Sequence, residues 1–547
     1  METISTNPFL DVTRAWVKEH VGAESKIPDI SLAKLFYQAM EELDKVRGAK
    51  PTHRFQVKPS LEKTTKILGR EVLFKTGRRL SQIDEARSFL QDKYDELFPE
   101  GMAKAVEVLE LQQKLGRWIS SAQRKEICVK IAEIFESCST YEAMCDLRET
   151  IEKAPSGISP LFKLVYQDVD ENTSHKILRA INQKFKTAYL EDPKKIQFHY
   201  RIYSDIDDTI KPALNDLKVK ISGLYPSAME FYRQLSHSVP DKNSSKERPK
   251  NVRITFLSGR LDLAAKMWDK RLNKKTPKDL KFFTLFGSTK AYFPAMKFYT
   301  AKFFMKILDR FPAGPLRQYL KRFVQSLEID TYLALAIEKR HNIDRDLLLR
   351  PEALPIMIGD SGEADLLFTL IKNSGVPTPF EDKRIPEEYR PYIAWKDMDE
   401  KSRIGNLSNK PLFLGLTHSI TSRTQYSGAS PDPKFRKEYA EELNAVIFDN
   451  YVDNAILCLQ RKLIDKDAAS QIVAESRKWV VEQQNQIRAM MKKYGSPIDA
   501  KTDLFDIDPA VLTSLLAQEK VSPALKYRLK VILSIKRYDE FISSSVG

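Results

Sequence analysis

The spacing of apolar positions changes more than once along this chain, and the changes divide it into zones. From residue 1 to about 190 apolar residues recur at three-and-four spacing with charges between them, over 31–46, 80–98 and 102–152. This predicts helices, each with one apolar face turned to a core. Between about 191 and 380 strand-like and helix-like segments alternate, the mark of an α/β sheet. Ile196, Phe198, Tyr200 and Ile202 keep the period of two expected of a strand; residues 252–257 and 354–358 read as two more, the last leading into an apolar helix through Leu370. From about 376 to 433 Gly375, Pro377, Pro379, Pro386, Gly428, Ser430, Pro431 and Pro433 predict a long irregular connection. Helical spacing returns over 435–494 and 508–543, with Tyr451, Ile456, Leu459, Trp479 and Val480 on apolar faces. The expected organisation is a helical region over 1–190, an α/β domain over 191–380, an irregular connection over 381–434 and a helical region over 435–547. No repeat of fixed period is present.

The end of the first strand adds chemistry to this outline. Residues 201–211 read Arg-Ile-Tyr-Ser-Asp-Ile-Asp-Asp-Thr-Ile-Lys. On a strand, residues i and i+2 share a side, so Asp205 and Asp207 present two carboxylates to one region while Ile206 turns away. One carboxylate can attack phosphorus and the other can exchange a proton with the leaving oxygen, given a divalent cation to offset their repulsion for an anionic substrate. A calcium loop also begins Asp-x-Asp, but Ile210 stands where it needs glycine and Asp216 where it usually carries glutamate. A polar turn after a strand is the other plain reading, and the downstream strands argue against it.

Those strands end in matching polar signals. Residues 252–257 are followed by Ser258, Gly259 and Arg260, which places a hydroxyl at the edge of a parallel sheet where ligands bind. Residues 354–358 are followed by Gly359, Asp360, Ser361, Gly362, Glu363, Ala364 and Asp365; the glycine permits a sharp turn that directs Asp360 to the same edge. Oxygen ligands from Asp205, Asp360 and the Asp207 carbonyl suit Mg²⁺.

Composition narrows the class. At 547 residues the chain is long enough for two to four domains. No apolar stretch approaches the roughly 20 residues that span a bilayer, and the first residues lack the character of a signal peptide, so a cytoplasmic protein without a transmembrane segment is expected. Cys128, Cys138, Cys145 and Cys458 are too irregular for a disulfide framework or a zinc site and read as buried thiols. The net charge of +15 is concentrated: residues 241–310 hold eighteen Lys or Arg against six Asp or Glu, including Lys266, Lys270, Arg271, Lys274, Lys275, Lys278 and Lys281. Each lysine alone is an ordinary solvated side chain, but a one-signed cluster concentrates anionic partners: membrane phosphates, nucleic acid or an acidic protein.

Taken together, residues 204–211, the segment 225–235 (Tyr-Pro-Ser-Ala-Met-Glu-Phe-Tyr-Arg-Gln-Leu), Ser258-Gly259 and residues 358–363 resemble the haloacid dehalogenase superfamily of aspartate-nucleophile phosphatases, and within it the catalytic domain of the actin-patch phosphatidate phosphatases. The resemblance covers about 190 residues. It implies a Rossmann-like parallel sheet with helices on both faces and little or no cap, flanked by the helical regions. It also implies Asp205 as nucleophile, Asp207 as general acid and base, Ser258 as phosphate-binding hydroxyl, Thr209, Gly259 and Arg260 near the substrate, and Asp205, Asp207, Asp360 and Asp365 around Mg²⁺. The superfamily further uses a lysine from the helix before the last strand. Lys302, nine residues before Phe311-Pro312, fits best, with Lys297 and Lys306 nearby, and residues 313–353 then read as an insertion. Arg260 departs from the Ser-Pro-Trp that usually follows the serine–glycine pair in the phosphatidate phosphatases, which bears on lipid specificity.

About 48 residues separate Thr209 from Ser258 and about 43 separate Ser258 from Lys302, room for sheet-crossing helices and little more. An open site with a basic surround suits a phosphate on something large. The expected activity is Mg²⁺-dependent hydrolysis of a phosphate monoester, foremost phosphatidate at an anionic membrane surface, with nucleic-acid termini or phosphoproteins as other substrates. The other class is a non-catalytic platform whose helical flanks bind protein partners; retention of every required carboxylate favours the enzyme.

Overall fold

Strict alternation along one central strand sorts the α/β region into two faces. In the computed structural model, which describes residues 100–152, 159–212, 223–237, 254–258, 282–286, 333–361, 364–374, 383–389, 398–399, 402–403, 410–419, 444–496 and 502–544, the chain divides into two compact units. One comprises residues 1–155 and 163–184, the other residues 156–162 and 185–547.

The first unit is helical where described. The stretch expected as one helical run over 102–152 is three helices, α1 (Glu100–Leu115), α2 (Ser121–Glu136) and α3 (Tyr141–Glu152). Ser120 starts α2 by accepting the Gln123 amide, while the Gln123 side chain accepts the Ser120 amide, a reciprocal cap that satisfies two otherwise orphaned donors. Val108, Ile131, Phe135, Met144, Leu147 and Ile151 form its core. The fourth helix, α4 (Glu171–Glu191), belongs to this unit as far as Lys184. The helices expected over 31–46 and 80–98 lie outside the described residues. Cys128, Cys138 and Cys458 are buried as expected, whereas Cys145 is only half-buried.

The second unit is built on a six-stranded parallel sheet: β1 (His199–Ser204), β2 (Ile254–Ser258), β3 (Phe282–Phe286), β4 (Ala353–Asp360), β5 (Leu414–His418) and β6 (Ala445–Phe448), in the order β3-β2-β1-β4-β5-β6. The chain moves outward from β1 through β2 to β3, then restarts on the other side of β1 with β4, β5 and β6. The reversal opens a crevice at the C-terminal ends of β1 and β4, where ligands bind in such sheets. The register there pairs Ser204 with Ile358, and the Asp205 amide donates to the Ile358 carbonyl at 2.9 Å, extending the ladder by one residue.

Tyr200 and Ile202 of β1, with Ile356 and Ile358 of β4, face a core shared with α5 (Ala228–Ser236) and a C-terminal bundle. The bundle comprises α8 (Tyr451–Gln460), α9 (Lys466–Glu482), α10 (Gln484–Lys493), α11 (Pro509–Ala517) and α12 (Pro523–Ser544). Burying each large apolar side chain of this core contributes about 1.5–3 kcal/mol. The intervening residues Arg201 and Tyr203 face the other way, toward α6, the helix over 333–349, and α7 (Asp365–Ser374). There Asp346 of α6 accepts from Arg201 at 3.0 Å, from Tyr203 at 2.7 Å and from Arg350, while Lys372 of α7 pairs with Asp344. Burial alone would raise the Asp346 carboxyl; Arg201, Arg350 and the Tyr203 hydroxyl outweigh it and hold the group below its ordinary range. Burial pushes the Lys372 ammonium down to about 8, although Asp344 opposes the shift.

Two boundaries differ from the sequence reading. The sheet does not end near residue 380: β5 lies within the expected irregular connection, and β6 opens the segment expected to be wholly helical. The C-terminal helices pack on one face of the sheet and complete its core instead of forming a separate flank. Of the expected insertion at 313–353, residues 333–349 form α6, which leads directly into β4.

Candidate active site

Asp205 is the first residue beyond β1, and Ile206 turns back into the apolar core, so the alternation of the strand persists past its end. The chain then reverses. Asp208 has a φ of 55°, its amide donates to the Lys211 carbonyl at 2.7 Å, and the Ile210 amide donates to the Ile206 carbonyl at 3.1 Å. Asp207 sits on this turn, less buried than its neighbours, with Lys211 Nζ 3.0 Å from its carboxylate.

The end of β4 delivers the second group. Asp360 is fully buried, and its amide lies 3.3 Å from the Asp365 carboxylate at the start of α7. The return loop is tight at Gly359: a Cβ there would come within 2.7 Å of Asp365 Cγ and Oδ2. Only glycine lets the strand approach this carboxylate so closely. Oxygen atoms of Asp205, Asp360 and Asp365 consequently lie within 4.8 Å of one another, all on buried residues.

Three carboxylates this close and this dry need a cation. Lys339 of α6 supplies one charge: its ammonium is 3.0 Å from Asp205 Oδ1 and also bonds Asp365 Oδ1. The donor set of carboxylate oxygens suits a hard divalent ion such as Mg²⁺, for which Asp205, Asp360 and Asp365 fit as ligands. The cluster is made of side-chain oxygens alone, and the main-chain carbonyl expected from Asp207 is a different kind of ligand atom.

The structure thus brings together Asp205, Asp360 and Asp365 from the expected set. Lys302, with its neighbours Lys297 and Lys306, lies outside the described residues, as do Gly259 and Arg260. The lysine found at the carboxylates is Lys339. It was legible in principle, since α6 is the helix directly before β4; reading 313–353 as an insertion hid it. Ser258 ends β2 opposite Phe286, at the expected sheet edge, and its side chain lies outside the described part. Thr209, expected near the substrate, is fully buried beneath the turn, and its carbonyl accepts the Tyr451 hydroxyl at 2.9 Å. The physical reason is the reversal at Asp208, which carries Thr209 into the core. His418, at the end of β5, was missed altogether: its Nδ1 lies 2.9 Å from the Asp208 carbonyl.

Comparison with known proteins returned nothing: no protein-family profile, no curated protein and no solved structure matches this chain.

Proposed function

We propose that this protein is a Mg²⁺-dependent phosphatase of haloacid dehalogenase type that hydrolyses a phosphate monoester through an aspartyl-phosphate on Asp205. The observation that carries the reading is the convergence of Asp205, Asp360, Asp365 and Lys339 at the sheet crevice. An Asp-x-Asp turn at that position, with a lysine and two further acids, supports phosphoryl transfer because Asp207 stands at the more open side of the turn, where a leaving group can reach it.

In this reading an Asp205 carboxylate oxygen attacks phosphorus as the ester P–O bond breaks, and the departing alkoxide takes a proton from Asp207. Water then attacks the phosphorus, Asp207 takes its proton, and the Asp205–phosphorus bond breaks to release inorganic phosphate. Bound Mg²⁺, held by Asp205, Asp360 and Asp365, supplies the positive charge that lets an anionic nucleophile meet an anionic substrate. Lys339 holds Asp205 in place between turnovers, because its ammonium bonds both that carboxylate and the one on Asp365. Gly359 sets how closely Asp365 can approach.

The proposed substrate is phosphatidate, giving diacylglycerol. What supports it is the sequence resemblance together with the basic excess over 241–310, which would be attracted to an anionic bilayer by up to about 1 kcal/mol per residue near the surface. The test is phosphate release from phosphatidate vesicles, a 5′-phosphorylated oligonucleotide and a phosphopeptide, each with Mg²⁺ and with chelator, beside Asp205→Asn. Turnover of phosphatidate by the wild type alone is expected. Faster turnover of the oligonucleotide or peptide would replace the substrate, and no turnover of any would leave a non-catalytic platform as the better reading.

A further inference from the structure

The carboxylates depend on a backbone turn that side chains from distant elements hold in place. Asp208 holds a positive φ that most residues with a Cβ avoid, although aspartate tolerates it better than most, so contacts from its surroundings help to set the turn. Three of its carbonyls receive such contacts. The Asp205 carbonyl accepts from Ser204 Oγ at 2.6 Å, that of Thr209 accepts from the Tyr451 hydroxyl, and that of Asp208 lies 2.9 Å from His418 Nδ1.

His418 differs from the other two because it also reaches the second half of the site. Its own carbonyl accepts the Ser361 amide at 3.0 Å, immediately after Asp360. The side chain therefore holds the turn bearing Asp207 while the main chain holds the loop bearing Asp360. The imidazole is fully buried and walled by aromatic rings, with Tyr225 edge-on at 4.5 Å and Phe448 stacked at 5.2 Å between centroids. A carbonyl oxygen only accepts, so Nδ1 must carry the proton.

We propose that His418 is a positioning residue that sets the Asp207–Asp208 turn relative to Asp360 through an Nδ1–H···O=C bond. The inference rests on the phosphatase reading for its effect on catalysis, but its geometric core does not. Substitution leaves the main-chain bond to Ser361 available, so variants isolate the contribution of the side chain. Phenylalanine keeps a ring in the aromatic cage and cannot donate; asparagine is smaller and can.

In His418→Phe, kcat on an alkyl phosphate, whose poor leaving group needs a well-placed acid, is expected to fall about tenfold, the worth of one buried hydrogen bond, with kcat on an aryl phosphate and both KM values within about twofold. His418→Asn should recover most of the loss. Unchanged kcat in His418→Phe, equal losses on both esters, losses that follow the folded fraction measured by circular dichroism, or no recovery in His418→Asn would each overturn the proposal. Nitrogen NMR of histidine-labelled wild-type protein reads the geometry without any turnover: a proton on Nδ1 of His418 is expected, and an unprotonated Nδ1 overturns the proposal outright. A wild type that cleaves neither ester would sink the phosphatase reading while the NMR result still decides the hydrogen bond.

Discussion

Replacing Lys339 by methionine keeps most of the side-chain volume and removes an ammonium that pairs with both Asp205 and Asp365. The consequence can be sized from the geometry. Two unit charges 4.8 Å apart, the widest spacing of the three carboxylates, repel by ~3.5 kcal/mol at an effective dielectric constant of about 20. Lys339 offsets repulsion of that order, and removing one partner of a buried ion pair generally costs about 3–5 kcal/mol. In chelator, Lys339→Met should accordingly lose about 3–5 kcal/mol in urea unfolding. Added Mg²⁺ should restore more stability to the variant than to the wild type, because it replaces a charge that the wild type already has. Turnover with Mg²⁺ should fall by about 10²–10³, as when an electrostatic stabiliser is removed from an active site. Equal urea midpoints for variant and wild type in chelator, with no extra stabilisation by Mg²⁺, would refute the reasoning.

Other consequences follow from close contacts and buried charge. Gly359→Ala places a Cβ against Asp365, so Mg²⁺ affinity measured by calorimetry should drop at least tenfold with a loss of about 1–3 kcal/mol in stability; unchanged affinity would mean that the loop yields freely. Asp346→Asn leaves Arg201 and Arg350 without their carboxylate and should cost about 3–5 kcal/mol at pH 7. Because the folded-state pKa of Asp346 lies below its ordinary value of 3.8, its contribution is fully present above that value and is lost as pH falls through the folded-state pKa. The gap in urea midpoint between wild type and Asp346→Asn should therefore narrow in acid, and a gap independent of pH would contradict the assignment.

The parts of the site that were legible in sequence are those signalled locally. Tyr200 and Ile202 alternate up to the Asp box, and Gly359-Asp360 follows an apolar run, so strand ends and their acids could be placed from neighbours in the chain. The parts that were not legible depend on distant contacts. The prolines and glycines on either side make the segment 414–418 read as part of an irregular connection, yet it is β5, and a Cβ at its Gly415 would collide with the Thr369 methyl where α7 crosses the strand. Glu338-Lys-Arg-His341 falls in the stretch that reads as an insertion, whereas Lys339 and Arg340 are buried. Their burial is tolerated because carboxylates meet the charges: Arg340 pairs with Asp344 one turn along its own helix, whereas Lys339 reaches Asp365 and, across 134 positions of chain, Asp205. A charged residue's local pattern carries no record of such partners. His418 likewise ends a short, mostly apolar run with no neighbour in sequence to mark it, until β5 brings it against the Asp208 carbonyl.

The central claim is that Asp205 becomes phosphorylated and that Asp207 assists the departure and hydrolysis steps. Trapping the intermediate tests it most directly: protein is mixed with Mg²⁺ and phosphatidate or an aryl phosphate, quenched in acid and treated with tritiated borohydride, which reduces an acyl phosphate to the alcohol as phosphate leaves, and the tritium label is located by peptide mapping. The account predicts label on Asp205 in Asp207→Asn, where hydrolysis of the intermediate is slowed, and none in Asp205→Asn or in chelator. Wild-type turnover accompanied by label on another residue, or undiminished phosphate release by Asp205→Asn, would contradict it.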